Sequence, residues 1–153
     1  MAGEAIYTMD NNQQPSVGMC PYSSALDRLR DVGLRPTRQR LALAKILFSG
    51  DGNRHVTAEE LHSEARQNGV SVSLATIYNT LHQFTQAGLL NEVVVEAGRS
   101  YFDTNTEEHH HFFFERTNRL QDISAEVISV SKMPPPPEGS KVKSVDVIIR
   151  LDA

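Results

Sequence analysis

Three histidines stand in a row at His109-His110-His111, and Phe112-Phe113-Phe114 follow them directly. On a β-strand, successive side chains point to opposite faces, so His109 and His111 share one face and His110 takes the other. An i,i+2 pair of imidazoles has chelate spacing. Acids lie close by at Asp103, Glu107 and Glu108, and His55 stands just ahead of a helix start. A set of His55, Asp103, His109 and His111 suits Fe²⁺, Mn²⁺ or Zn²⁺, because it offers nitrogen and oxygen without thiolate. Haem iron also accepts histidine, and an apolar Phe run can keep water from a porphyrin. That makes His109, His110 and His111 haem candidates as well. A polar strand face or a loop is the plainer alternative for the triplet. Cys20-Pro21 is a second motif of this kind. The proline removes a backbone donor and holds the chain extended around a thiol that could ligate ferric haem. Taken alone, a Cys-Pro pair carries little information. His62 and His82 fall inside helical patterns without evident partners and read as structural.

The elements that must position these residues are legible from periodicity. Residues 1–21 are polar and turn-rich and read as a flexible tail. Four helical patterns follow. The first spans Ser23 to Asp31, and the second opens at the N-cap Thr37 and stops at Gly50. The third opens on the capping box Thr57-Ala58-Glu59-Glu60. The fourth begins at Ser73 and carries Leu74, Ile77, Tyr78, Leu81 and Phe84 at helical spacing. The period then changes. Leu90–Glu96 and Ser100–Asp103 read as a hairpin around Ala97-Gly98-Arg99. This is the outline of a winged helix-turn-helix over residues 22–103, with one extra helix in front. Residues 104–153 read as a second, α+β unit. It has strands near His109–Glu115 and Leu120–Ile123, a short helix at Ala125–Val130 and a last strand over Val142–Leu151. Pro134 to Pro137 forbid helix and central strand between them. So small a unit buries too little surface to be secure alone, which makes dimerisation its natural role. The expected class is α+β: a four-helix winged domain with a hairpin wing, then a dimerisation and ligand-sensing domain with a small antiparallel sheet.

The fourth helix leaves Ser73, Thr76, Asn79, Thr80 and Gln83 opposite its apolar stripe. Short polar side chains of this kind can meet base edges in a major groove, although they also suit a solvated face. The net charge is -4, with no global basic excess. The cations are unevenly placed, however. Arg35, Arg38, Arg40 and Lys45 fall between Gly33 and Gly50, where there is no acid. Arg35, Arg38, Arg40 and Arg99 stand where a winged helix needs phosphate anchors, and Thr76, Tyr78 and Asn79 would approach bases or the sugar-phosphate edge. Tyr78 has spacing that also allows core packing. Helix, patch and wing together favour double-stranded DNA as a partner.

One cysteine allows no internal disulfide, which suits a reducing cytoplasm. No CxxC exists for a structural zinc. The start MAGEAIYTMD lacks the apolar run of a signal peptide, and no apolar stretch approaches membrane-spanning length. No general acid, base or nucleophile is placed beside an open metal position, so a metalloenzyme is the weakest reading and none is expected. A haem-buffering protein on a winged scaffold is the other alternative.

Several phrases resemble the ferric uptake regulator (Fur) family: Gly33-Leu34-Arg35-Pro36-Thr37-Arg38-Gln39-Arg40, Thr57-Ala58-Glu59-Glu60-Leu61, and Ser73 to Leu81. The resemblance implies a winged-helix DNA-binding domain, a C-terminal dimerisation domain and a metal-responsive transcription factor. The chain departs from the usual pattern in three places. Phe114 and Thr117 replace a CxxC, no His follows His111, and Asp103 stands where Glu is common. These departures, with the His triplet, Cys20-Pro21, Tyr101-Phe102-Asp103-Thr104-Asn105 and Ser131-Lys132-Met133-Pro134, resemble the iron response regulator (Irr) subfamily. Met19 stands where a Gly often precedes the Cys. That likeness implies a homodimer, or a higher oligomer built from it, that binds A/T-rich inverted repeats under iron limitation and is antagonised by ferric haem. An ordinary metal- or peroxide-responsive Fur-type repressor is the alternative.

Overall fold

The computed structural model describes residues 22–153, so Cys20-Pro21 lies outside the described residues. Helices α1 (Tyr22–Asp31) and α2 (Arg38–Leu47) come first, followed by a two-residue strand β1 (His55–Val56). Helices α3 (Ala58–Gln67) and α4 (Leu74–Gln86) follow. Strands β2 (Asn91–Glu96) and β3 (Arg99–Asp103) form the hairpin. The chain continues through β4 (His109–Phe114), β5 (Arg119–Ser124), a 3₁₀ turn at Ala125–Val127, and β6 (Ile148–Leu151).

Each of the later helices starts on a side-chain cap. The Thr37 hydroxyl accepts from the Arg40 N–H at 3.3 Å. Thr57 and Glu60 close a reciprocal capping box, at 2.8 and 3.2 Å. Ser73 accepts from the Thr76 N–H at 3.1 Å. Such caps satisfy donors that have no partner within the helix, each worth about 1 kcal/mol. At the other end of α4, Gly88 takes φ +86°, a conformation open to glycine. This lets the Leu89 N–H reach the Phe84 carbonyl at 2.9 Å and turns the chain into β2.

The main core is helical. Leu29, Leu43, Leu47, Leu61, Ile77, Leu81 and Phe84 are fully or almost fully buried there, and Phe102 of β3 joins them. In α4 the buried set is Ile77, Thr80, Leu81 and Phe84, the i, i+3, i+4, i+7 stripe of an amphipathic helix. Thr80 therefore belongs to the core side and not to the polar face that its hydroxyl suggests.

Two small sheets complete the fold. The first has the order β1-β3-β2, with His55 opposite Asp103 and Val56 opposite Phe102. A two-residue strand is too short to show a period, so β1 was not foreseen. The second sheet has the order β5-β4-β6. Strand β5 runs antiparallel to β4, but β6 runs parallel to it, with His111 opposite Ile148. The expected antiparallel sheet is thus mixed. Only Ile148–Leu151 of the expected last strand joins as β6, and Pro134–Pro137 lie in a long irregular crossover before it. That crossover brings the chain back in the direction of β4. A second, smaller core links the two sheets through Val95 and Tyr101 on one side and Phe113 and Leu120 on the other.

Candidate metal centre and nucleic-acid interface

Alternation along β4 puts His109, His111 and Phe113 on one face, and all three are buried. Phe113 fills the small core, while the two imidazoles turn toward the end of β3. Register supplies the rest. Asp103 lies opposite His55 in the first sheet, and Asp122 lies opposite His111 in the second. His55, Asp103, His109, His111 and Asp122 each bring one ligand atom, and these five atoms all lie within 4.8 Å of one another.

The geometry is tight. Asp103 Oδ2 lies 2.7 Å from His109 Nε2, 3.0 Å from His111 Nε2 and 3.2 Å from His55 Nε2. His109 Nε2 is 3.0 Å from His111 Nε2. Asp122 Oδ1 is 2.7 Å from His55 Nε2 and 3.4–3.5 Å from the other two rings. A carbonyl can only accept, so the 2.6 Å contact between His109 Nδ1 and the Glu107 carbonyl puts the ring proton on Nδ1. Nε2 is then the lone-pair atom, as a metal ligand requires.

Electrostatics follows from this crowding. Burial alone raises the pKa of a carboxyl group. At Asp103 the hydrogen bonds from His111 and His55 and the Asn105 N–H outweigh burial, and they hold the carboxyl well below its usual range. Burial pushes His55 down, but the Asp103 and Asp122 carboxylates more than reverse it and leave its pKa raised. His109 is likewise raised against burial, by the Glu107 carbonyl and Asp103.

The donor set fits a small divalent cation. Three ring nitrogens around one carboxylate oxygen exceed the two lone pairs it can offer. Two Nε2 atoms facing each other gain nothing unless something positive lies between them. A cation with nitrogen and oxygen ligands at about 2.0–2.2 Å has neighbouring ligands about 2.8–3.1 Å apart if octahedral and about 3.3–3.6 Å apart if tetrahedral. The observed separations of 2.7–3.5 Å fall around that spacing. Asp122 is half-buried, its side chain 33% exposed, so the centre has an open edge. Among the described residues no other group of three or more His, Cys, Asp or Glu side chains comes together in this way.

The sequence-predicted residues His55, Asp103, His109 and His111 thus meet at one point. Asp122 was missed, because only the β4–β5 register reveals it. His110, a haem candidate on the other face of the strand, does point the other way but is not exposed there. It is 6% exposed, and its Nδ1 accepts the Val147 N–H at 3.2 Å. The returning crossover covers it. His62 meets the Val72 carbonyl at 3.0 Å, a structural contact.

The expected DNA-facing residues divide differently. A groove of about 340 Å³ between the start of α2 and α4 is lined by Thr37, Gln39, Arg40, Thr76, Asn79, Thr80 and Gln83. Arg35 and Arg38, on either side of the N-cap Thr37, are exposed, as are Ser73 and Asn79. Arg40 is already engaged. It donates to Gln83 Oε1 at 3.0 and 3.3 Å and to the Arg35 carbonyl at 2.9 Å, bracing α2 against α4. Tyr78 packs against the helical core, and its hydroxyl donates to Glu59 at 2.8 Å. Arg99, just past the β2–β3 hairpin turn, lies 3.2 Å from Glu96 and bonds to the Asn118 side chain in the β4–β5 turn.

Comparison with known proteins agrees with this architecture. Residues 31–150 match the family model described as the ferric uptake regulator family. A ferric uptake regulation protein of Vibrio parahaemolyticus is 37% identical over 81 residues, 53% of this chain and 54% of the relative. The peroxide-responsive repressor PerR of Staphylococcus aureus is 35% identical over 95 residues, 62% of this chain and 63% of the relative. The chain spans a little over half the length of these curated relatives. In structure, the ferric uptake regulator of Pseudomonas aeruginosa, solved with manganese, superposes with a TM-score of 0.63 at 23% identity, over 83% of this chain and 96% of that one. With 120 of its residues spanned by the family model, the chain belongs to the ferric uptake regulator family.

Proposed function

We propose that this protein is a metal-responsive transcriptional regulator that binds DNA as a homodimer and reads a divalent cation at the His55–Asp103–His109–His111–Asp122 centre. The observation that carries this reading is the origin of the five ligands. His55 and Asp103 belong to the first sheet, which is packed on the helices, whereas His109, His111 and Asp122 belong to the second. We take the boundary between a DNA-binding unit and a dimerisation unit to lie just after Asp103. Fe²⁺, Mn²⁺ or Zn²⁺ would be held by these side chains and would supply positive charge where the carboxylates and ring nitrogens crowd. Fixing the spacing of the two units in each protomer fixes whether both α4 helices reach successive major grooves of an inverted repeat.

In this reading Ser73, Thr76 and Asn79 face bases, and Arg35 and Arg38 hold phosphates. Arg40 orients Gln83. Arg99 must exchange Asn118 for phosphate, and Tyr78 supports the helix more than it reads sequence. Gel-shift titration with an A/T-rich inverted repeat, at two salt concentrations and with and without Mn²⁺, is the test. Salt-sensitive binding that changes on adding metal is expected. DNA affinity indifferent to metal would refute the sensing role.

The finer reading is an iron regulator antagonised by haem, supported by the His triplet, by Cys20-Pro21 and by the lack of any second cysteine. His109 and His111 face the metal centre and His110 is buried, so haem at the triplet must compete with the cation. Haem uptake followed by visible absorption should therefore fall when Mn²⁺ is added first. Uptake unchanged by Mn²⁺ and by Ala substitution of all three histidines leaves the triplet no haem role.

A further inference from the structure

We propose that Asn105 is the positioning residue that limits both carboxylates of the centre to one oxygen each, and so sets which cation the centre prefers. The inference rests on the metal-centre reading above. Asn105 lies in the connection between β3 and β4. Its backbone N–H donates to Asp103 Oδ1 at 2.8 Å, and its side-chain amide donates to Asp122 Oδ2 at 3.3 Å. The oxygens left over, Asp103 Oδ2 and Asp122 Oδ1, are the two that face the imidazoles. One residue thereby turns a carboxylate from each sheet in the same sense.

Asn105 is itself held in place. Its Oδ1 accepts the Glu107 N–H at 3.1 Å, and its carbonyl accepts from the Asn91 side chain at 3.1 Å. A carboxylate whose second oxygen is bonded outward presents a single donor atom. Three nitrogens and two single oxygens make a compact set, matched to ions that bind at about 2.0–2.2 Å. Larger Ca²⁺, at about 2.3–2.6 Å with six to eight oxygens, needs carboxylates free to turn and bind through both atoms. Asn105 therefore favours Mn²⁺, Fe²⁺ and Zn²⁺ over Ca²⁺.

Two variants separate this role from simple support of the loop. Asn105→Ser keeps a short side-chain oxygen for the Glu107 N–H, so the turn survives, but it cannot donate across to Asp122. Asn105→Ala loses both side-chain contacts, to the Glu107 N–H and to Asp122, while the backbone N–H to Asp103 remains in either variant. Mn²⁺, Zn²⁺ and Ca²⁺ affinities are measured by calorimetry on the full chain, with the visible spectrum of the Co²⁺ form and the metal-free melting temperature. Both variants should bind Mn²⁺ and Zn²⁺ about 10–100-fold more weakly, lose less toward Ca²⁺, and show shifted Co²⁺ bands. An Asn105→Ser protein with wild-type affinities and spectrum overturns the proposal, even if Asn105→Ala is weak. So does an equal loss for all three ions with an unchanged Co²⁺ spectrum. Wild-type protein that takes up no divalent cation refutes the metal centre itself, and this inference with it.

Discussion

Replacing Asp103 by Asn should change metal-free stability in a way that depends on pH. Asp103 is completely buried and faces three imidazoles at 2.7–3.2 Å. Its carboxyl pKa is lowered in the folded state. The stability it contributes is therefore present above the ordinary carboxylate range and lost as pH falls through the lower, folded value. His55 and His109 are shifted the other way, upward. Their contribution is complete below the unfolded value, about 6.5, and disappears as pH rises through the folded one. Both contributions coincide between about pH 4.5 and 6.5. Removing one partner from a buried charge cluster costs about 3–5 kcal/mol. The lower end applies, because the imidazoles can neutralise once the anion is gone. About 3 kcal/mol in a chain of this size lowers the melting temperature by about 6–12 °C. Thermal unfolding in chelator across pH 5–9 measures it. The gap between wild type and Asp103→Asn should be largest near pH 6 and shrink as pH rises through the raised folded-state values of His55 and His109, where only hydrogen bonds from neutral rings to the Asp103 carboxylate remain. A gap of equal size at pH 6 and pH 8.5 would show that charge pairing does not hold the cluster together.

The site, the α2–α4 groove and the core each give further expected outcomes. His111→Ala and Asp122→Ala should each weaken Mn²⁺ binding by more than about 100-fold in calorimetry, since in the proposed centre they are ligands rather than residues that orient them. Arg35→Ala and Arg38→Ala should each flatten the slope of log affinity for DNA against log salt by about 0.9, if each neutralises one phosphate. Arg40→Ala should leave the slope less changed but lower the melting temperature, because that guanidinium is already spent on Gln83 and Arg35. Phe84→Ala, at the centre of the helical core, should cost about 3–5 kcal/mol in denaturant unfolding and leave a large cavity.

Local rules made much of the fold readable. The caps at Thr37, Thr57 and Ser73 form as their residue types predict, and the stripe Ile77-Leu81-Phe84 is buried as its spacing requires. The hairpin turn at Gly98 and the strand character of the His-Phe run depend only on neighbouring residues. What could not be read were contacts between distant segments. Strand β1 exists only because β3 is there to pair with it. β6 runs parallel because of the path of a long crossover, and the alternation over Val142–Leu151 marks a strand without giving its direction or its partner. Thr80 looked like a surface residue because its hydroxyl is polar, but the helix phase puts it against the core.

The centre divides along the same line. Residue type and strand alternation determined that His109 and His111 act together and that His110 does not. Composition limited thiolate to the chain's single cysteine, Cys20, so a ligand set drawn from the strands is nitrogen and oxygen. Tertiary structure alone decided that Asp122 completes the set, that Asn105 turns both carboxylates, and that His110 is covered by the returning chain. Alternation is a property of one strand, whereas strand register and the docking of two sheets arise from packing between segments up to 67 residues apart. Period and spacing carry no information about that packing.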